Sequence, residues 1–293
     1  MKITAQIQGG LGNQLFQYAT GKALSMRLGG QLLLDIDWFN HDWEDVTARS
    51  FLLPNLNLQY RLSQATSPVT SPKRWRRIAQ QILPLSPYIL KDRPYRFNPA
   101  LNQFKPFTDQ DIYLMGYWQS YRYFDSIRNE LLKELQPSKA LSSHYQAYQE
   151  KILGTSSVMV HVRRGDYLHL PVAAKIHGSL DLDYYRRGMD LLLAKEPESR
   201  FFIFSDDQDW AKAHLPYQEK SCFVESSPEP TAPVQELFLM TQCQRHLIAN
   251  SSLSWWGAWL SSGSNPQVIA PNKWANDLDK NWNDLLPPTW HRI

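Results

Sequence analysis

Between Ser157 and Ala270 short apolar runs alternate with stretches of helical spacing, and this alternation restricts the fold more than any other feature of the chain. Strands are expected at Ser157–Val162, Arg200–Phe204, Ser221–Val224, His246–Ala249 and Gln267–Ala270. Helices are expected at Asp183–Lys195, Asp207–His214, Pro233–Gln244 and Leu253–Ser262. Parallel strands need a crossover between them, and a helix is the usual one. Repeated β-α units therefore predict a parallel sheet with helices on both faces.

The beginning follows the same grammar. Lys2–Gln8 alternates as a strand, and Gly9–Gln14 reads as a tight loop. Apolar residues at Leu15, Phe16, Ala19, Ala23, Leu24 and Leu28 then keep helical spacing, and Leu32-Leu33-Leu34 starts a second strand. Seven of the nineteen prolines lie between Pro68 and Pro106, which predicts an irregular region with short helices. Asp111–Leu114 resumes a strand, and helices follow near Tyr123–Leu135 and Ser142–Leu153. A chain of 293 residues exceeds one domain of roughly 100–200 residues. The expected division is 1–154, 155–270 and a tail, 271–293, packing back on the body.

The net charge of +3 conceals an asymmetry. Arg61 to Arg96 holds eight basic residues and one acid, Asp92, a charge of +7 that leaves −4 for the rest. Such a stretch is either a solvated face or an attraction to an anionic surface such as lipid headgroups. Nucleic acid is not an expected partner, because no nucleic-acid module surrounds the patch and the remainder repels phosphates. Cys222 and Cys243 lack metal-ligand spacing and read as reduced core thiols in a reducing compartment. The first residues lack the apolar stretch of a signal peptide, and no window approaches ~20 apolar residues. A cytoplasmic protein is expected, with possible peripheral association at the inner membrane surface through Arg61–Arg96.

His161-Val162-Arg163-Arg164-Gly165-Asp166-Tyr167 closes an apolar strand with two adjacent arginines. Arginine is rarely buried unless paired, and its planar fork suits phosphate oxygens. Gly165 permits a sharp turn, and Asp166 lies within reach of a guanidinium. Ser205-Asp206-Asp207 ends another strand, on the side where parallel sheets bind ligands. One of these carboxylates can cap the next helix while the other accepts N–H bonds from a guanine edge. Asn250, Ser251, Ser252 and Ser254 lie where a strand gives way to a helix, gathering hydroxyls and backbone N–H groups at the positive end of a dipole. His177 precedes a helix in the same half.

Gly10 and Gly12 between a strand and a helix, with Asp35 further on, invite a dinucleotide reading. Leu15 occupies the third glycine position of that fingerprint and crowds the helix against the strand. A loop of backbone and amide N–H groups from Asn13 and Gln14, aimed at a sugar or phosphate oxygen, fits better. Asp35-Ile36-Asp37 and Asp207-Gln208-Asp209 match a metal-binding pair only in the weak sense of any three-residue pattern.

Taken together, Gly9–Ala19 (GGLGNQLFQYA), Gly116–Phe124 (GYWQSYRYF), His161–Tyr167 (HVRRGDY), Phe204–Asp207 (FSDD) and Asn250–Leu260 (NSSLSWWGAWL) resemble the α-1,2-fucosyltransferases. Residues 40–106 lie outside the resemblance, and Glu236 stands where that family usually has Asp. The resemblance implies a GT-B-like architecture of two Rossmann-type domains facing across a cleft. The first would be the acceptor side and the second the GDP-fucose-binding side. It implies an inverting transfer of L-fucose from GDP-L-fucose to the 2-hydroxyl of a terminal galactose, without cofactor or obligatory metal. By the same resemblance Arg163 contacts the β-phosphate and Arg164 supports it. His161 and Asp207 face the guanine, Ser251 and Ser252 bind phosphate, and Asn13 sits near the fucose. Asp166 and His177 are the candidate bases. Another linkage, such as α-1,6, and a non-catalytic nucleotide- or carbohydrate-binding protein remain the alternatives.

Overall fold

A computed structural model describes residues 1–43, 47–64, 87–105, 110–165, 178–261, 267–276 and 282–293. The chain forms two compact units, Met1–Leu135 and Gln136–Ile293. The division falls after Leu135, where the sequence placed it at 154/155. The helix Ser143–Leu153 packs on Ala232–Gln242 of the second unit and travels with it.

The first unit is built on β1 (Lys2–Gln6), β2 (Gln31–Asp35), β3 (Arg61–Leu62), β4 (Tyr88–Lys91) and β5 (Ile112–Met115). They form one parallel sheet in the order β3-β2-β1-β5-β4. The order reverses between β1 and β5, and in sheets of this kind ligands bind outside the strand ends at such a point. β4 corrects the expectation of a region without strands around it. It fits between Pro87 and Pro94 on the sheet edge, where a missing N–H costs no ladder bond.

Helix α1 runs Leu11–Leu28, so Gly9–Gln14 is not all loop. Gly10 caps the helix and Gly12 falls in its first turn, where the N–H groups have no intrahelical acceptor to lose. Leu15, Phe16, Tyr18 and Ala19 of α1 are fully buried with Ile3, Leu34, Ile112 and Leu114 of the sheet. Each large side chain of that set contributes ~1.5–3 kcal/mol. α2 (Pro99–Gln103) and α3 (Arg128–Glu134) complete the unit. α3 is shorter than the predicted helix because residues 121–123 and 125–127 wind as separate 3₁₀ turns. Glu134 ties α3 to α1 through Lys22, at 2.6 Å, and through the Tyr18 hydroxyl, at 2.7 Å.

The second unit carries α4 (Ser143–Leu153), β6 (Ser157–Val162), α5 (Leu182–Lys195), β7 (Arg200–Ser205), α6 (Gln208–His214) and β8 (Ser221–Val224). α7 (Ala232–Gln242), β9 (Arg245–Leu247), α8 (Ser252–Trp259), β10 (Gln267–Ala270) and β11 (His291–Arg292) follow. The sheet is parallel in the order β11-β10-β9-β6-β7-β8, with its switch point between β6 and β9. β6 is buried along its whole length, as befits a central parallel strand, and carries Ser157 and His161 into the interior among Val158, Met159, Val160 and Val162. Val158, Val160, Val162, Phe201, Ile203, Tyr185, Met189 and Leu247 form the core below it.

The tail does more than pack back: it supplies the edge strand β11 and buries Trp282 and Trp290. Trp255 and Trp259 stack at 5.8 Å, as their spacing predicts. Gly257 lets α8 approach α7 closely, because a Cβ there would stand 2.7 Å from Met240 Cβ. Among the described residues no helix is long and apolar enough to cross a membrane. The two parallel sheets are the Rossmann-type pair expected of a GT-B-like α/β protein.

Candidate functional site

In the second unit Val162 of β6 lies in register with Ser205 of β7, so Arg163-Arg164-Gly165 leaves the sheet beside Asp206-Asp207. Arg163 Nη1 pairs with Asp206 Oδ2 at 2.9 Å. The backbone N–H of Arg164 donates to Asp206 Oδ1 at 2.8 Å, and that of Gly165 donates to Asp206 Oδ2 at 3.0 Å. Arg164 Nε pairs with Asp207 Oδ2 at 3.2 Å. Its guanidinium also lies 4.0 Å above the Trp210 ring, a cation–π contact. Trp210 is in turn stacked on His214 at 5.1 Å. Gly165 serves proximity rather than turning: a Cβ there would stand 2.9 Å from Asp206 Oδ2.

Asp207, expected to face guanine, gives its Oδ2 to Arg164 and its Oδ1 to the Trp210 N–H as the α6 cap. Ser205 Oγ accepts from the Asp207 N–H at 2.9 Å, so it braces the same turn. His161, also expected at the guanine, is 5 % exposed at the end of β6. Burial pushes its pKa down to about 4; Asp206 opposes this and Arg163 adds to it. The ring is therefore neutral at pH 7. Its Nδ1 is buried without a hydrogen-bond partner among the described residues. Asp166 and His177 lie outside the described residues.

β9, next to β6 across the switch point, leads into Asn250-Ser251-Ser252. Asn250 Nδ2 donates to Gly178 O at 3.0 Å and to Trp274 O at 3.2 Å, so this amide staples the loop. Ser251 caps α8, accepting from the Leu253 N–H. Ser254 turns its hydroxyl back to Ala249 O and Ser251 O. Ser252 stays half-buried at the first helical position. Three serines thus divide between capping, back-bonding and an open helix end.

The first unit brings a second set together at its own switch point. Gln119 Nε2 donates to Asn13 Oδ1 at 2.8 Å, joining the segment after β5 to the first turn of α1. The adjacent amides have separate tasks. Gln14 is fully buried: its Nε2 donates to Gly9 O and Ser50 O, and its Oε1 accepts from the Leu52 N–H. Gly10 leaves open space where a side chain would stand, and Gly12 is buried. Asp35 is consumed internally by the Tyr113 hydroxyl, at 2.5 Å, and by the Asp37 N–H, at 3.0 Å. That leaves it no ribose for a dinucleotide reading.

Sequence reasoning missed Asp92 and Gln119. Asp92 Oδ2 accepts from the Trp118 N–H at 2.9 Å, and burial raises its carboxyl pKa against bonds from the backbone of Trp118, Tyr117 and Arg93. Gly116 has φ +133, and a Cβ there would lie 2.2 Å from Asp92 Cβ. Trp118 holds φ +57, a left-handed conformation rare for a bulky residue. The strained turn is held by a carboxylate, and Gln119 follows directly. The signal available beforehand was the glycine opening the Gly116–Phe124 segment. Asp92 had none, being 26 residues from Trp118 in the chain.

Glycosyl transferase family 11 matches over residues 1–293. An α-1,2-colitosyltransferase of Escherichia coli is 30% identical over 99% of this chain and 98% of its own. A human galactoside α-(1,2)-fucosyltransferase is 24% identical over 89% of this chain and 66% of its own. The crystal structure of the fucosyltransferase NodZ from Bradyrhizobium superposes with a TM-score of 0.51, covering 87% of this chain and 92% of that one at 15% identity. That last likeness concerns the fold.

Proposed function

The chain belongs to glycosyl transferase family 11, and from that premise we propose that it moves L-fucose from GDP-L-fucose to the 2-hydroxyl of a terminal galactose, with inversion at the anomeric carbon. The observation that carries the reading is the arginine pair held by Asp206 and Asp207 at the end of β6, next to the serine-rich start of α8. In this reaction the galactose oxygen forms a bond to the fucose anomeric carbon as the bond to the β-phosphate oxygen breaks. The electron pair leaves with GDP, and the hydroxyl proton passes to a base. Asp166 and His177 are the proposed candidates for that base.

Negative charge develops on the diphosphate as the bond lengthens, and oxocarbenium character develops on the sugar. Donors fixed in advance stabilise that charge without reorganising. We assign Arg163 to the β-phosphate. Arg164, clamped between Asp207 and the Trp210 ring, keeps the loop rigid. Ser251, Ser252 and the α8 N-terminus take the other phosphate oxygens. Asn13 and the open surface over Gly10 belong near the sugar, with buried Gly12 in the turn behind them. Fixed guanidinium charge gives this scheme its leaving-group stabilisation without a metal, and turnover retained in excess chelator is the expected result. Product analysis by NMR after incubation with GDP-fucose and a panel of galactosides tests the whole reading: a fucose at galactose C2 is expected, and fucose elsewhere would mean another linkage.

The colitosyltransferase relative favours a second reading of the donor. Colitose is L-fucose without its 3-hydroxyl, so the two donors share every phosphate and guanine contact. Competition between GDP-fucose and GDP-colitose in one assay distinguishes them. Free Cys222 and Cys243 fit the proposed cytoplasmic setting. Peripheral attachment to anionic lipid through Arg61–Arg96 rests on charge alone, and residues 65–86 of that stretch lie outside the described residues. Flotation with anionic vesicles at low salt tests it.

A further inference from the structure

Beyond β2 the chain builds an aromatic surface that the proposed chemistry does not use. Trp38 and Trp43 lie nearly parallel, their rings 6.0 Å apart at 15°, with the Trp43 indole N–H donating to Trp38 O at 2.9 Å. Phe39 meets Trp38 edge-on at 5.0 Å and reaches Phe51 at 5.7 Å. Trp43 remains 37 % exposed, and Trp38 and Phe39 are half-buried. His41 and Asp37, 3.4 Å apart, set a polar edge beside the rings.

The surface is anchored to the switch point of the first unit. Asp35 closes β2, holds the Asp37 N–H and accepts from Tyr113 of β5, fixing the chain where it leaves the sheet. From the other side, Gln14 grips Ser50 O and the Leu52 N–H on either side of Phe51, and its neighbour Asn13 holds Gln119. Gln14 thus fixes the backbone on both sides of Phe51, and Phe51 meets Phe39, which meets Trp38 and through it Trp43. All lie toward the C-terminal ends of parallel strands, where ligands of such sheets bind.

We propose that Trp38 and Trp43 form a subsite for the acceptor glycan, binding a pyranose ring of the galactose-terminated oligosaccharide. This rests on the functional reading above. A pyranose has an apolar C–H face and a rim of hydroxyls. A rigid aromatic face with an ionisable polar edge answers both. The same patch buried in packing would need no exposed indole.

The test begins with the unmodified protein. Saturating its aromatic protons in the presence of methyl β-lactoside transfers magnetisation to the sugar ring protons, and Trp43→Gln weakens that transfer. In transfer assays Trp38→Ala and Trp43→Gln raise the acceptor KM by ~3–10-fold, the scale of one aromatic contact. The KM for GDP-fucose stays unchanged, and Trp43→Phe recovers part of the loss. Folded variants with an unaltered acceptor KM overturn the subsite and leave the transferase reading intact. Lactoside saturation that depends on Trp43, in a protein that transfers no sugar, upholds the subsite and overturns the transferase reading. Absence of magnetisation transfer to the sugar in the unmodified protein overturns the subsite.

Discussion

Asp206 grips Arg163 by a 2.9 Å ion pair while its two oxygens also receive the backbone N–H groups of Arg164 and Gly165. One carboxylate thereby sets the direction of a guanidinium and the path of the chain that follows it. The pair is about one-quarter exposed, so its value is geometric more than it is a store of stability.

Arg163→Ala is expected to lower kcat/KM by roughly 10²–10³-fold, the usual cost of removing one fixed donor to a developing charge. Asp206→Asn keeps the shape and loses the ion pair, and should fall between wild type and Arg163→Ala. Steady-state kinetics with GDP-fucose checks both, and full activity in Arg163→Ala would refute its assignment to the phosphate.

Gly165→Ala places a methyl group 2.9 Å from Asp206 Oδ2 and must push that carboxylate off its three donors. GDP affinity by calorimetry should drop by ~10-fold while the melting temperature shifts little, since the loop is at the surface. A loss of melting temperature with unchanged GDP affinity would contradict this role.

Asp92→Ala removes the acceptor that holds the left-handed turn at Trp118. Strain of that kind costs ~1–3 kcal/mol and persists only where the surroundings enforce it. Gln119 should then release Asn13, so Asn13→Ala and Asp92→Ala combined should lower turnover less than the product of the single effects. Strict multiplicativity in the double mutant would break the link.

Buried His161 and His246 both have pKa values pushed down to about 4 by burial. The unfolded chain binds these protons near pH 6.5, and the folded chain binds them only near pH 4. Stability is therefore complete above pH 6.5 and falls as pH drops toward 4, by at most ~1.4 kcal/mol per pH unit for each histidine. Thermal melts from pH 7.5 to 4 should slope downward, and His161→Asn should flatten the slope. A melting temperature that rises on acidification would reverse the sign.

Much of this is legible in the sequence. The apolar run at Ser157–Val162 is a central parallel strand, and Arg163-Arg164 leaves it at the ligand-binding end. The short motifs marked both switch points, because they sit where strands end. The helix start at Leu11 was obscured by Gly10 and Gly12, whose low helix propensity matters little in a first turn. The edge strands β4 and β11 were hidden for another reason: they are short and take their order from the strand beside them.

Sequence alone determined the β-α alternation, the two-unit division in outline, the family and the loops that carry its chemistry. Those are properties of local period and residue type, each contained within a few turns of chain. Tertiary structure alone decided that Asp206 and Asp207 hold the arginines, that Gln14 is a staple while Asn13 meets Gln119, and that Asp92 keeps the Trp118 turn. Each joins residues tens of positions apart, and no local pattern selects one partner among several carboxylates or amides. That choice is made by strand register and by the close approach that Gly116 and Gly165 permit, both of which exist only once the sheet is assembled.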